Sequence, residues 1–172
     1  GSPKPWRYYL KHCGGGLCID GGAHWIRPLR MMLGEVDSVI AATSRPVVEM
    51  EGETQAHAIL RFVSGITASF DAWLTDCRPA RYEAFRITGM LGELVIEMGR
   101  DGHMLLIDRQ HPAGEVVMSV GSSWMDSYGL QLHDFSLAVL EGKPLAASAE
   151  YSLGELRTAL AIYRSVATGN WE

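Results

Sequence analysis

The sequence has few cysteines, no long apolar run and no excess of basic residues, and each absence excludes a class of protein. Its cysteines are Cys13, Cys18 and Cys77. They are odd in number and lack the dense spacing of a disulfide framework, so we expect reduced thiols in a cytoplasmic protein. The longest apolar stretches, such as residues 137–140, are far too short to cross a bilayer. A formal net charge of −5 argues against binding to nucleic acid or to an anionic membrane.

Two kinds of ligand site are also missing from the pattern. His12, Cys13 and Cys18 lie close together, but the spacing of the cysteines is loose and no fourth ligand is evident, so we expect no metal site. The only glycine-rich run, Gly14–Gly16, follows no predicted strand and lacks the spacing of a phosphate-binding turn. We therefore expect this chain alone to bind no nucleotide cofactor.

The residues that are present predict a folded protein. Hydrophobic residues make up 47% of the chain and charged residues 20%, as in a packed domain, and we expect residues 1–172 to form one domain. Apolar residues at helical spacing predict a helix that begins near Asp20 and ends at Gly34, with Pro28 early in it. Alternating apolar and polar residues then predict strands over 36–44, 57–63, 66–74, 82–88, 93–98, 103–109 and 115–120.

Two more helices follow the predicted strands. The first is expected over residues 127–141, and the second from a cap at Ser148 or Ser152 to Gly169. Short connections between successive strands imply antiparallel pairing. We therefore expect an α+β fold, with a predominantly antiparallel, open-faced sheet and helices packed on one face. Apolar residues point to both sides of several strands, so we expect the other face to be apolar and to pair copies of the chain into a homo-oligomer.

Asp20 and His24 are the strongest candidates for chemistry. They lie four residues apart at the start of the first predicted helix, hence on one side of it, with Cβ atoms about 5–6 Å apart. The carboxylate can hydrogen-bond the imidazole, and the positive end of the helix dipole favours a neutral ring, which can accept a proton. Gly14–Gly16 allow a cofactor or substrate to approach the adjoining turn. By spacing alone, a helix cap at Asp20 and a half-buried polar side chain at His24 are the simpler interpretations.

The order of these residues resembles a known family. Trp6-Arg7, the three glycines, Asp20 and His24 resemble the signature that opens the C-terminal domain of the glucose-fructose oxidoreductase/inositol dehydrogenase (Gfo/Idh/MocA) family. Further resemblances lie in Gly89-x-x-Gly92, in Glu141-Gly142-Lys143-Pro144 after a helix that contains Phe135, and in Ala161-Ile162-Tyr163-Arg164-Ser165. Together these motifs cover nearly the whole chain.

The resemblance implies the substrate-binding half of an oxidoreductase. Such an enzyme interconverts a secondary alcohol, often of a sugar or polyol, and a ketone, with NAD or NADP as the cofactor of the complete enzyme. His24 matches the family's general base, and Asp20 matches the residue that orients this base and the substrate hydroxyl. The family's Rossmann domain and its Glu-Lys-Pro lysine belong to the other half, and Lys4-Pro5 does not match that lysine because Pro3 precedes it. The chain is therefore expected to be inactive alone.

One position departs from the family pattern. Members often carry an aspartate three residues after the histidine, where this sequence has Arg27, followed by Pro28. The departure leaves Asp20 and His24 in place and implies a change in substrate preference or in local packing.

Five further residues are candidates for contact with the substrate: Arg7, Tyr82, Arg86, Trp124 and Tyr128. Arg7 has an alternative role as the partner of a carboxylate. Tyr82 and Arg86 are four apart in a predicted strand and hence expected on one face, where they either contact a sugar or are structural. Trp124 and Tyr128 are expected in a polar loop before the penultimate helix, where they either line a pocket or pack.

Two other functions stay open. A stand-alone binding or assembly module would keep the fold without the catalysis, since a fold does not determine a function. A metal-dependent hydrolase or lyase would use Asp20 and His24 as ligands, although no further ligands are spaced for it.

Overall fold

The computed structural model describes residues 3–75, 82–98, 102–120 and 124–172. Within these residues a 3-10 turn at Trp6–Tyr8 and the short helix α1 (Leu10–Cys13) precede the first long helix, α2 (Gly22–Leu33). The strands are β1 Val36–Ser44, β2 Gln55–Phe62, β3 Thr67–Trp73, β4 Tyr82–Thr88, β5 Gly92–Met98, β6 Gly102–Asp108 and β7 Glu115–Val120. The last helices are α3 (Trp124–Glu141) and α4 (Ala149–Thr168), so the predicted α+β class is confirmed.

The chain divides into two compact units, Gly1–Asp76 with Ala147–Glu172, and Cys77–Ala146. The first unit contains an antiparallel sheet of order β1-β2-β3, and the second an antiparallel sheet of order β4-β5-β6-β7. The predicted antiparallel pairing is confirmed. The described strands form one sheet in each unit, where the pattern predicts a predominantly antiparallel sheet.

The core of the first unit lies between its sheet and the helices α2 and α4. Along β2 the residues alternate strictly, with Leu60 and Phe62 buried and Ile59 and Arg61 exposed. The helices and the other strands complete this core, chiefly with Ile26, Val39, Phe70 and Ile162. Full burial of one such side chain stabilises the fold by about 1.5–3 kcal/mol, so these residues fix α2 on the sheet.

The two long helices of the first unit end where the sequence predicts. Gly34 and Gly169 follow α2 and α4 with φ of +93° and +70°, a region that glycine adopts without strain. At the start of α4 the Ser148 hydroxyl oxygen accepts a hydrogen bond from the backbone N–H of Tyr151 at 3.2 Å. This contact identifies Ser148, and not Ser152, as the cap. A capping hydrogen bond of this kind stabilises the protein by about 1 kcal/mol.

Pro28 lies inside α2, beyond the first turn where proline is best tolerated. The prediction of an early position is therefore wrong. Because proline has no N–H, it cannot donate the helical hydrogen bond to the carbonyl of His24, four residues earlier.

The second unit carries a bulge that changes which residues share a face. In β4 the register shifts after Glu83, so that Tyr82 pairs with Met98 and Arg86 with Val95. Met98 and Val95 are three apart on β5 and lie on opposite faces. Positions 82 and 86 are therefore on opposite faces as well, and the prediction that they share one is wrong because the bulge inserts an extra residue.

Helix α3 is longer than predicted. It begins at Trp124, so Trp124 and Tyr128 lie in a helix and not in a polar loop. No proline or glycine separates Trp124 from Tyr128, which is why the helix extends back to this point. Several large apolar side chains of α3 are exposed, namely Leu130, Leu132, Phe135, Val139 and Leu140.

The outer face of the three-stranded sheet is mixed in character, where the pattern predicts an apolar face. Ile59 and Trp73 are exposed on it, but His57 lies beside them, with its Nδ1 atom 2.5 Å from Asp71 Oδ1 and its Nε2 atom 2.9 Å from Gln55. Polar residues at the alternate positions of β2 and β3 produce this mixture. Over the described ranges, none of the helices has the length and apolar character needed to span a bilayer.

Candidate functional site

The glycine run before α2 is closed by the protein's own side chains. The backbone N–H groups of Gly16 and Cys18 donate to the two carboxylate oxygens of Glu53, at 2.9 and 2.8 Å. From α4, the Tyr163 hydroxyl donates to Glu53 Oε1 at 2.9 Å. Burial, and then the charge of Glu53, raise the pKa of Tyr163, so its phenol stays protonated and remains a donor.

The space beside two of these glycines is occupied. A Cβ atom on Gly15 would lie 2.3 Å from the Tyr163 hydroxyl oxygen, and one on Gly16 would lie 2.1 Å from the Glu53 carbonyl oxygen. Gly15 and Gly16 therefore permit close packing within the protein, whereas a Cβ atom on Gly14 would have no heavy atom within 4 Å. The Glu53 carboxylate would also repel a phosphate at Gly15 and Gly16. The expectation that a cofactor or substrate approaches this turn stays a prediction.

Asp20 lies in the turn just before α2 and pairs with Arg7. The Asp20 carboxylate is 3.5 Å from Arg7 Nε, and both side chains are half exposed. The residue at the cap position of α2 is Gly21, and no side chain caps the helix there. The cap interpretation of Asp20 is therefore wrong, whereas the carboxylate partner considered for Arg7 is observed. An exposed pair of this kind contributes at most about 1 kcal/mol, so its main effect is to position the carboxylate.

His24 lies in the first turn of α2 and lines a pocket of about 380 Å³ between α2 and α4. It is exposed. The pocket walls are largely apolar, formed by Ile19, Ala23, Pro28, Met31, Leu156 and Ala159, with His24, Arg27, Ser152 and Glu155 as the polar residues. A concave, mostly apolar site with a few polar groups is typical of small-molecule binding. An exposed imidazole at its edge can accept a proton from a bound hydroxyl.

A network of charges joins α2 to α4 beside this pocket. Arg30, buried in α2, contacts Glu155 of α4 and Glu35, each at 2.6 Å. Burial lowers the pKa of Arg30, but its hydrogen bond with Glu35 and the charges of both glutamates outweigh burial and raise it. Arg27 hydrogen-bonds Ser152 and lies 3.4 Å from Glu155. The Cζ atoms of Arg27 and Arg30 lie over the ring of Tyr151, at 5.2 and 4.2 Å from its centroid.

Sequence reasoning did not predict this network. Its partners on α2 and α4 lie more than a hundred residues apart in sequence, with Arg30 and Glu155 separated by 125 positions, and no local motif links them. The only signal was Arg27 itself, which stands where the resembling family often has an aspartate.

The remaining candidates lie in the second unit. The Arg86 guanidinium is held by Glu83 at 2.9 Å and by Glu93 at 2.6 Å, and the hydrogen bond and charge of Glu83, together with Glu93, raise its pKa. Tyr128 is half exposed on α3. The side chains of Tyr82 and Trp124 lie outside the described residues.

Metal ligands do not cluster in the part of the chain that the structure describes. No group of three or more histidine, cysteine, aspartate or glutamate residues is placed there to hold an ion. Cys13 donates from its Sγ atom to the carbonyl of Gly15 at 2.8 Å. Burial, and then Glu53, raise the pKa of Cys18, so its thiol stays protonated.

Comparison with known proteins places this geometry in a family. The model of the "Oxidoreductase family, C-terminal alpha/beta domain" matches residues 2–171. A curated relative, "Uncharacterized oxidoreductase ORF334" of Rhizobium meliloti, is 47% identical over 47 residues, which are 27% of this chain and 14% of that protein.

Solved structures have the same fold over the whole chain. The aldose-aldose oxidoreductase of Caulobacter crescentus, complexed with glycerol, has a TM-score of 0.80 at 26% identity, over 100% of this chain and 51% of that one. A levoglucosan dehydrogenase, complexed with NADH and levoglucosan, has a TM-score of 0.77 at 23% identity, over 100% of this chain and 54% of that one. This chain thus spans about half the length of the solved structures it matches. It belongs to the Gfo/Idh/MocA oxidoreductase family, as that family's C-terminal α/β domain.

Proposed function

We propose that this chain is the substrate-binding half of an NAD(P)-dependent oxidoreductase that interconverts a secondary alcohol of a sugar or polyol and a ketone. The observation that carries the proposal is the position of His24, exposed at the edge of the α2–α4 pocket in a domain of an oxidoreductase family. The relatives' complexes with glycerol, NADH and levoglucosan support this substrate class and cofactor.

In this proposal the chain moves a proton and orients the substrate. His24 accepts the proton of the substrate hydroxyl when the alcohol is oxidised and returns it in the reverse reaction. Asp20, held by Arg7, hydrogen-bonds the histidine or the substrate hydroxyl and so fixes the distance over which the proton moves. The nicotinamide supplies the redox chemistry, since it carries the hydride.

The cofactor is expected on another part of the complete enzyme. Glu53 and Tyr163 fill the space at Gly15 and Gly16 of the glycine turn, and the Glu53 carboxylate would repel a dinucleotide phosphate there. We propose that a Rossmann domain supplies this site together with the assisting lysine, and that residues 1–172 alone are inactive. The choice between NAD and NADP then depends on that other half.

We further propose a homo-oligomer in the cytoplasm, formed through the outer face of the three-stranded sheet. That face exposes Ile59 and Trp73, which lose contact with water when a second copy covers them. His57 and Asp71 lie between them, Gln55 lies opposite Trp73, and these polar residues would supply hydrogen bonds across the interface. Sedimentation of the native protein tests the proposal, because a monomer at micromolar concentration would contradict it.

The test of the catalytic role is a pair of histidine variants in the native protein. His24→Ala should reduce turnover of a sugar or polyol by about 100-fold or more, the usual scale for the loss of a general base. His133→Ala is the matched control, because His133 is exposed on α3 in the second unit, and it should leave turnover within about twofold of wild type.

Three outcomes separate the functions. A selective loss in His24→Ala supports the proposal. Equal effects of the two variants would remove His24 from the mechanism. Ligand binding by wild type without any nicotinamide-dependent turnover would favour the stand-alone binding module.

A further inference from the structure

The polar end of the α2–α4 pocket carries an arginine whose donors are only partly used. Arg27 lines the pocket together with His24, three residues before it on the same side of α2. Its Nη2 group contacts Ser152 and Glu155. Over the described residues, its Nε and Nη1 groups have no hydrogen-bond partner. The side chain is 23% exposed, so these donors are sheltered by protein and still accessible from the pocket.

The charge of Arg27 is also only partly balanced. Its nearest carboxylate is Glu155, at 3.4 Å, but Glu155 makes a much shorter contact of 2.6 Å with Arg30, and both members of that pair are almost fully buried. Glu155 is therefore engaged mainly by Arg30. Among the residues that line the pocket, only His24, Arg27 and Glu155 are ionisable. An anionic group that enters from the open side thus meets a guanidinium with free donors, and no unpaired carboxylate opposes it.

The orientation of the guanidinium is fixed before any ligand arrives. Its Cζ atom lies 5.2 Å from the centroid of the Tyr151 ring, and its Nη2 atom is held by Ser152. A guanidinium positioned in this way can donate a charge-assisted hydrogen bond from Nε or Nη1 to a carboxylate at little further loss of entropy. A neutral hydroxyl can accept from the same donor but lacks the attraction between opposite charges.

The size and the walls of the pocket fit a small ligand. Its volume of about 380 Å³ lies at the lower end of the range for small-molecule sites. The carbon backbone of a sugar-like molecule can pack on Pro28 and Leu156, which line the pocket. His24 and Arg27 are separated by almost one helical turn, so one ligand a few carbons long can reach both.

We propose that Arg27 is a specificity-determining residue that binds the carboxylate of a polyhydroxy acid while a hydroxyl of the same molecule lies at His24. The inference rests on the proposed oxidoreductase function and narrows its substrate class from sugars and polyols in general to acids of the aldonate type.

The test compares ligands that differ only in their terminal group. The probes are D-gluconate with D-glucitol, D-galactonate with galactitol, and D-mannonate with D-mannitol, titrated into the native protein at neutral pH. Because each pair shares its stereochemistry, a preference within a pair measures recognition of the carboxylate. At least one acid should bind wild type about 10- to 100-fold more tightly than its alcohol, the scale of a charge-assisted hydrogen bond.

Variants of Arg27 show which group recognises the acid. Arg27→Gln should remove the preference within the pair and leave binding of the alcohol within about threefold, whereas Arg27→Lys should keep part of the preference, since it retains the charge without the planar guanidinium. Arg164→Gln is the matched control, because Arg164 is 57% exposed and its ion-pair partner among the described residues is Glu172, at 3.6 Å. Acetate should compete with the acid, and not with the alcohol, for binding to the wild-type protein. This measurement needs no variant and therefore stays informative where a variant fails to fold.

The outcomes separate this inference from the function on which it rests. Equal binding of acid and alcohol by wild type, or an acid preference that survives in Arg27→Gln, overturns the role of Arg27. The role of Arg27 would also be overturned if neutral polyols were turned over at rates that depend on His24 and not on Arg27. That result would leave the oxidoreductase proposal intact. An acid that binds through Arg27 and is never oxidised or reduced would support the ligand assignment and contradict the proposed reaction.

Discussion

Each unit of the molecule holds an arginine between two glutamates, and the two clusters differ in burial. In the first unit Arg30 lies between Glu35 and Glu155 with 3% of its side chain exposed, and it joins α2 to α4 beside the pocket. In the second unit Arg86 lies between Glu83 and Glu93 on one sheet, with 49% of its side chain exposed. Similar distances therefore have different consequences, because water and salt screen the second cluster far more than the buried Arg30–Glu155 pair of the first.

The difference shows which part of the fold is held in a precise geometry. The buried cluster and the closed turn at Glu53 fix both ends of α2, the helix that carries His24 and Arg27. A general base must be held within hydrogen-bond reach of its proton, so rigid support on both sides is what the proposed role requires. The ion pairs of the second unit are exposed and give no comparable support.

The largest effect is expected at the closed turn. Gly16→Ala would place a Cβ atom 2.1 Å from the Glu53 carbonyl oxygen, so the turn must open, and we expect a loss of about 4 kcal/mol or more in the free energy of unfolding. Gly129→Ala in α3 is the control, because nothing lies within 4 Å of the added atom. It should leave stability unchanged or raise it by up to about 1 kcal/mol. Urea unfolding of both variants checks the contrast, and a Gly16→Ala protein as stable as wild type would refute the packing argument.

The next effect separates the two arginine clusters directly. Arg30→Met leaves the buried carboxylate of Glu155 without its main partner and should cost about 3–5 kcal/mol. Arg86→Met should shift the unfolding midpoint far less, and that small shift should vanish in high salt because the pair is exposed. The measurement is urea unfolding at low and high ionic strength. Similar losses in the two variants would show that burial does not separate the clusters.

The smallest effect concerns acid stability at the turn between β6 and β7. The backbone N–H of His111, followed by that of Gln110, donates to Asp108 and lowers its pKa. A carboxyl group whose pKa is lower in the folded state stabilises the protein above its unfolded pKa, near 4, and loses this contribution as the pH falls through the folded pKa. Asp108→Asn should therefore weaken the pH dependence of the free energy of unfolding below about pH 4. Near neutral pH the slope of this free energy against pH should stay unchanged. A slope below pH 4 equal to that of wild type would contradict this assignment.

Local patterns in the sequence predicted most of the fold. The ends of β1, β4 and β7 lie at the predicted residues, since alternation and turn residues are local signals. The bulge in β4 has no such signal, and so the shared face of positions 82 and 86 was predicted wrongly. The start of α3 at Trp124 was missed because a polar sequence without helix breakers is compatible with both a loop and a helix.

The candidate site was predicted in its residues and not in its surroundings. Asp20, His24 and the Arg7 partner follow from one continuous motif. The occupants of the glycine turn, Glu53 and Tyr163, are 110 residues apart in sequence, and the partners of Arg27 come from α4. Contacts at such separations depend on the tertiary fold, so no spacing rule within one helix reveals them.

The mass of the native polypeptide tests the central claim most directly. If this chain is the substrate-binding half of a two-domain oxidoreductase, the native protein carries a further domain of about 100–150 residues, and its mass is about 30–35 kDa. Intact-mass measurement of the protein from its source cell should give that value. A native mass near 18.9 kDa would contradict the claim, because the protein would then function without a nucleotide-binding half of its own.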